Sequence, residues 1–198
     1  MNELFRHAKE FAAALRGHRF DVVGDGSLFF PEQKVFASGV YHHRIRGKED
    51  DWQRAPNLLP TEGLNYILDS FVSSHSAISL YMALYANGIA PAANWTAASF
   101  YGTAGEITSN SEGYSEANRV TWTAAAAAAA TKDNYSNVAA FTIVATGSLN
   151  VNGVGLLTVN TKGSQSGALI SATRFGTQRV FANTDVFDVK YQLALTSS

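Results

Sequence analysis

No cysteine occurs anywhere in the sequence, which excludes disulfide staples and thiolate metal sites and leaves the redox compartment open. Proline is scarce, at four residues, and no stretch approaches the ~20 consecutive apolar residues that a membrane-spanning helix needs. The segment MNELFRHAKEFAAALRGHR carries Glu3, Arg6, Lys9 and Glu10 among its apolar residues, which breaks any signal-peptide core. The expectation is a soluble, unsecreted chain that does not enter a membrane. A basic excess is missing too: 15 Lys and Arg stand against 16 Asp and Glu, for a net charge of −1, which argues against broad electrostatic capture of nucleic acid.

Charge is not only balanced but unevenly spread. Residues 1–62 hold nine basic and nine acidic side chains, whereas the much longer stretch 63–198 holds six and seven. The charge-poor part is rich in Thr, Ser, Asn, Ala and Gly, yet its aromatic and aliphatic residues recur regularly, so it reads as folded and mainly β. At 198 residues the chain is long enough for one main core.

Near the start, Leu4, Phe5, Ala8, Phe11, Ala12 and Leu15 follow a 3.6-residue period between a capping Asn2 and a terminating Gly17. This predicts an amphipathic helix in an N-terminal anchoring arm, residues 1–36, with Leu4, Phe5, Phe11 and Leu15 as its partner-binding face. Residues 37–198 are expected to form the second unit, a β-sandwich. Val35, Val40, Tyr41 and Ile45 allow extended segments, and RGKEDDW reads as a solvated loop. In LPTEGLNYILDSF, Pro60 and the N-cap candidate Thr61 precede Leu64, Ile67, Leu68, Phe71 and Val72 on one face, which predicts a short packed helix over 61–73. Glu62, Asn65 and Tyr66 fall on its polar side.

From residue 78 the period becomes two. Ile78, Leu80, Met82 and Leu84 alternate with Ser79, Tyr81, Ala83 and Tyr85, and similar alternation recurs at 120–124, 141–145 and 187–195, with further strands near 151–159 and 168–175. Gly- and Asn-rich breaks between them give the pattern of an antiparallel jelly roll or β-sandwich. The run Ala124–Ala130 has helical propensity but is short, and a strand ending after Trp122 followed by a loop is the preferred reading.

Tests for chemistry return little. His42 and His43 stand near Glu49, Asp50 and Asp51, but neighbours on a strand point to opposite faces, so one half-buried and one exposed histidine is expected rather than a metal pair. GSQSG at 163–167 has Gln165 where a nucleophile elbow needs serine, and the glycine pairs at 24–26 and 153–155 lack a dinucleotide-loop context. Two glycosylation sequons begin at Asn94 and Asn134 and are read as chance. No catalytic residue, metal ligand or cofactor site is assigned, and an enzyme is not expected. Tyr81, Tyr85, Trp95 and Tyr114, with Tyr101 and Trp52, are candidate surface aromatics. Ordinary edge packing, a protein interface and a glycan platform would each use such residues.

The segment NLLPTEGLNYILDSFVS, with its E-G-L-N-Y-[IL]-L core, resembles one found in virion proteins of tailed bacteriophages, particularly short-tailed ones. The likeness continues in order through SLYMALYANGIAPAANWTAASF, then Glu106, Tyr114, Glu116, Arg119 and Trp122, then GALISATRF, and last DVFDVKYQLAL, covering roughly residues 40–195. Residues 1–36 depart from the pattern. The resemblance implies a structural virion protein, foremost a capsid decoration or cement protein that is assembled in the host cytoplasm, binds the major capsid protein or other virion proteins and forms a homo-oligomer. It implies no role for nucleic acid or membrane. A tail, collar or fibre-attachment adaptor and a host-glycan-binding module are the alternatives. Within that reading Arg119 is expected to pair with Glu116 or Glu106 and fix a loop.

Overall fold

The computed structural model describes residues 21–22, 28–30, 35–72 and 79–197. Its strands begin with β1 (Asp21–Val22), β2 (Leu28–Phe30), β3 (Val35–Ile45) and β4 (Gln53–Pro56), followed by helix α1 (Thr61–Val72) and β5 (Leu80–Tyr85). A short helix α2 (Ala97–Gly102) precedes β6 (Gly113–Tyr114), β7 (Val120–Trp122), β8 (Thr131–Asp133) and β9 (Ala139–Val144). The long strands β10 (Leu149–Leu157), β11 (Leu169–Phe181) and β12 (Val186–Ser197) complete the order. They form two antiparallel sheets. The first runs β1-β2-β3-β12-β9-β6, with β4 also on β3 and β8 also on β12, and the second runs β11-β10-β5-β7. No helix among the described residues is long and apolar enough to cross a membrane.

Period-two patterning explains the sandwich. In β3 the inward set is Ala37, Tyr41, His43 and Ile45, and in its partner β12 it is Phe187, Val189 and Tyr191, all buried. Phe141 and Ile143 from β9 extend this layer, and Met82, Leu84, Val154, Leu156, Ile170 and Phe175 face it from the second sheet. Edge-to-face aromatic packing knits the layers: the Phe187 ring lies 4.9 Å from Phe181 and 5.7 Å from Phe175. The strands β9 and β10 run antiparallel to β12 and β11 respectively, so one long two-stranded ribbon passes from the first sheet into the second. It turns the corner where Ile143 N donates to Asp185 O and Thr184 N donates to Ile143 O.

A second apolar layer lies on the far side of the second sheet. A bulge between Val151 and Gly153 shifts the inward set of β10 from odd to even residues, and glycines then occupy the outer positions 153 and 155. A Cβ at Gly155 would press into the Phe100 ring of α2. Phe100, Trp95, Ala97 and Ala104 cover Tyr85, Ala83, Leu157 and Leu169 there. Thr96 caps α2, its Oγ1 accepting from Ser99 N at 3.2 Å. Helix α1 packs against β11. Its Gly63 sits so close to the strand that any Cβ would fall inside the contact radius of the Ile170 and Leu169 carbonyl oxygens. Glycine in a helix interior costs about 1 kcal/mol; in the first turn of α1 it is what lets the helix dock on β11.

Helix α1 starts one position earlier than the sequence suggests, since Leu64 N bonds Pro60 O and Thr61 is already helical, which leaves the cap position to Pro60. The described part of the segment read as an arm, β1 and β2, is hydrogen-bonded to the edge of the first sheet. The predicted arm helix, with Leu4, Phe5, Phe11 and Leu15, lies outside the described residues. As expected, β7 ends at Trp122 and the alanine run continues as an exposed loop. That loop closes on a tight hairpin: Thr131 N bonds Ala128 O at 2.9 Å and Ala128 N bonds Thr131 O at 3.0 Å. Ala129 and Ala130 both take left-handed φ values, 48° and 58°.

Such a turn favours Asn-Gly, because Ala carries a Cβ penalty of about 1 kcal/mol in that region. The double substitution Ala129→Asn with Ala130→Gly is expected to stabilise the fold by about 1 kcal/mol, read as a higher urea midpoint at unchanged slope. No gain would mean that the loop does not hold this turn in solution.

Candidate functional site

The residues singled out by sequence divide between the interior and one outer face. Glu106 and Arg119, 13 positions apart, meet as a fully buried bidentate pair, with Nε to Oε1 and Nη2 to Oε2 both at 2.7 Å. Arg119 spends its remaining donors on the carbonyls of Val159 and Ser164, each at 2.9 Å, and Glu106 also accepts from Gly163 N. Two loops that are remote in sequence are thereby clasped. Of the two partners expected for Arg119, Glu106 is the one it takes; Glu116 instead accepts from Thr142 N on β9. Beside the clasp, Lys162 Nζ lies 3.5 Å from the centre of the Tyr114 ring and donates to Tyr114 O and Asn110 Oδ1. Burial lowers its pKa to about 8.

Glu62 does not behave as an outward polar residue. Its Oε2 accepts from Ala97 N, at the start of α2, at 2.8 Å and from Leu169 N of β11 at 2.6 Å, tying both helices to the second sheet. Asn65 is exposed, and Tyr66 is half-buried against the main core.

The aromatic surface reading needs correction. Tyr85 and Tyr114 are 0 % exposed and Trp95 is 5 % exposed, leaving only Tyr81 partly accessible among the four. Strand alternation assigned Tyr85 to an outward face correctly, but that face is roofed by Phe100 and Trp95, whose rings stand nearly perpendicular to Tyr85 at 5.7 and 6.1 Å. Asn134, read as a sequon, is also wholly buried, its Oδ1 accepting from Tyr191 N at 2.7 Å.

The histidines do point to opposite sides of β3. His43 is 3 % exposed, stacked 4.0 Å from Phe175, and its Nδ1 has no hydrogen-bond partner among the described residues. His42 is half-buried rather than exposed, and lies on the outward face. Register places it directly between Arg54 on β4 and Lys190 on β12. This cross-strand row is cationic, and burial together with the charges of Arg54 and Lys190 lowers the His42 pKa. Lys190 and Arg44 both lie against the Trp52 ring, at 4.0 and 4.6 Å from its centre, and Tyr135 meets His42 edge-on at 5.7 Å. Asp188, next along β12, is already taken by Arg46 at 2.5 to 3.1 Å and by Arg44 at 3.5 Å. On the other side of the row is a hollow of about 160 Å³ lined by Arg54, Pro56, Gln192, Ser38 and Val40.

This face was not found from sequence. Its side chains were visible as the polar positions of alternating strands, but only the register of three strands far apart in the chain makes them one row. Among the described residues no group of three or more His, Asp or Glu side chains is arranged to hold a metal ion. No family model matches the chain, and no curated protein matches its sequence.

Proposed function

We propose that this protein is a structural component of a phage virion, foremost a capsid decoration protein of jelly-roll type that binds the head shell through protein contacts and performs no catalysis. The observation that carries the reading is what the residues of the phage-like segments do: Glu62, Glu106 and Arg119 spend their charges on holding loops and helices in place. The ribbon that curls from one sheet into the other supports the jelly-roll assignment. The glycan alternative loses support, because Tyr85, Trp95 and Tyr114 are inside the fold.

Quantitative mass spectrometry of purified particles, with the major shell protein as internal standard, tests the assignment. Copies on the order of hundreds are expected, since icosahedral repetition supplies that many equivalent positions. About a dozen copies would move the protein to the tail or collar, and absence from the particle would overturn the virion reading.

A further inference from the structure

We propose that the outward row Arg54–His42–Lys190, with the adjoining hollow, is a docking site for a carboxylate-bearing segment of a partner protein. Arg54 and Lys190 each stand directly opposite His42, one from either side, so neither cation finds a carboxylate across the strands and the isolated fold gains no ion pair from the row. The net charge of the chain is −1, so this concentration of cations does not follow from general basicity. Of the carboxylates near this face, Asp188 is occupied by Arg46 and Arg44, and Asp133, one row along, accepts from Tyr135 N, so neither is paired with Arg54 or Lys190. Trp52 holds Lys190 in place from the side.

The row spans about 10 Å across three strands, a reach that two acidic side chains of an extended segment can match. The hollow beside Arg54 offers about 160 Å³, roughly five waters' share of liquid volume, with the Gln192 amide to complete a carboxylate's hydrogen bonds. Two other occupants fit less well. A nucleic-acid backbone needs a longer cationic track than two cations about 10 Å apart. A sugar ring needs an open aromatic face, whereas Lys190 and Arg44 already lie on Trp52.

The nature of the partner as a virion protein rests on the function proposed above, but the site can be tested without it. The full chain is titrated calorimetrically with a synthetic oligoglutamate peptide at low and at physiological salt, for the wild type, Arg54→Glu, Lys190→Glu and the off-row control Lys132→Glu. Circular dichroism reports folding, and Arg54→Gln replaces any charge reversal that fails to fold. Saturable, salt-sensitive binding that weakens roughly tenfold or more in the row variants and is unchanged in Lys132→Glu is expected. The proposal is overturned by the absence of saturable binding, by equal affinity in the row variants, or by tighter binding of a single-stranded oligonucleotide than of oligoglutamate. Binding of oligoglutamate by a protein that is absent from particles would sink the virion reading while leaving the site standing.

Discussion

Arg119→Ala is expected to destabilise the protein by about 3–5 kcal/mol, the range found when one partner of a buried ion pair is removed. The physical cause is not the lost attraction alone. The Glu106 carboxylate would stay in a site with no solvent access, and the carbonyls of Val159 and Ser164 would lose their donor as well. At about 2–4 °C per kcal/mol for a chain of this size, the melting temperature should fall by roughly 10 °C. Arg119→Lys should recover little, because an ammonium cannot match the two parallel bonds to Glu106. The double variant Arg119→Met with Glu106→Leu should recover much more, since it leaves no buried charge behind. Thermal unfolding of these three variants decides the matter: a loss below about 1 kcal/mol for Arg119→Ala would show that the pair does not carry the clasp.

Acid should unfold this protein earlier than its carboxylates alone require, and His43 is the reason. Burial, reinforced by the Arg179 charge, lowers its pKa to about 4, from an ordinary value of 6.5. Above about pH 6.5 the imidazole is neutral whether the chain is folded or not, and its contribution is fully present. As the pH falls toward 4 the unfolded chain takes up a proton that the folded chain refuses, so stability is lost across that window. At about pH 4.5 the loss attributable to this one group is about 2.5 kcal/mol. His43→Leu keeps an apolar side chain against Phe175 and Phe187 while removing the proton site. Urea unfolding at about pH 7 and about pH 4.5 should therefore show a smaller drop for the variant than for the wild type. Equal drops would mean that the imidazole is protonated without cost inside the sandwich.

Both groups illustrate what local pattern reveals and what it hides. The alternation at Phe187, Val189 and Tyr191 was legible because these apolar residues alternate with Asp188, Lys190 and Gln192 along β12, and Phe141 and Ile143 in β9 are spaced in the same way. Helix α1 was legible from its apolar stripe, although its glycine became intelligible only against the carbonyls of β11. The second apolar layer was not legible. Nothing local tells that the face carrying Tyr85 is roofed, since the roof comes from Trp95 and Phe100, beyond the end of β5, and from a bulge that changes the parity of β10. The signal that could have revealed α2 is Thr96 ahead of Ala97 and Ala98, a good cap before good helix formers, in a segment too short to display a period. The cationic row escaped for the opposite reason: each of its members looks like an ordinary solvated strand position, and register alone gives them a common purpose.

The pairing of β3 with β12 also governs how the protein is made. Along the edge that β12 takes, Val35 to Ile45 has no partner until Phe187 to Ser197 has emerged from the ribosome, so the central seam of the first sheet forms after the strands between them have been made. Until then Tyr41 and Ile45 lie on an unmatched strand edge, the kind of surface that recruits other chains. With so much of its pairing between distant segments, the domain belongs among slow folders, in the range of milliseconds to seconds rather than microseconds. Nascent chains are therefore exposed to mispairing with one another for as long as that seam stays open, while β2 and β4, both close to β3 in sequence, can shield its other edge early.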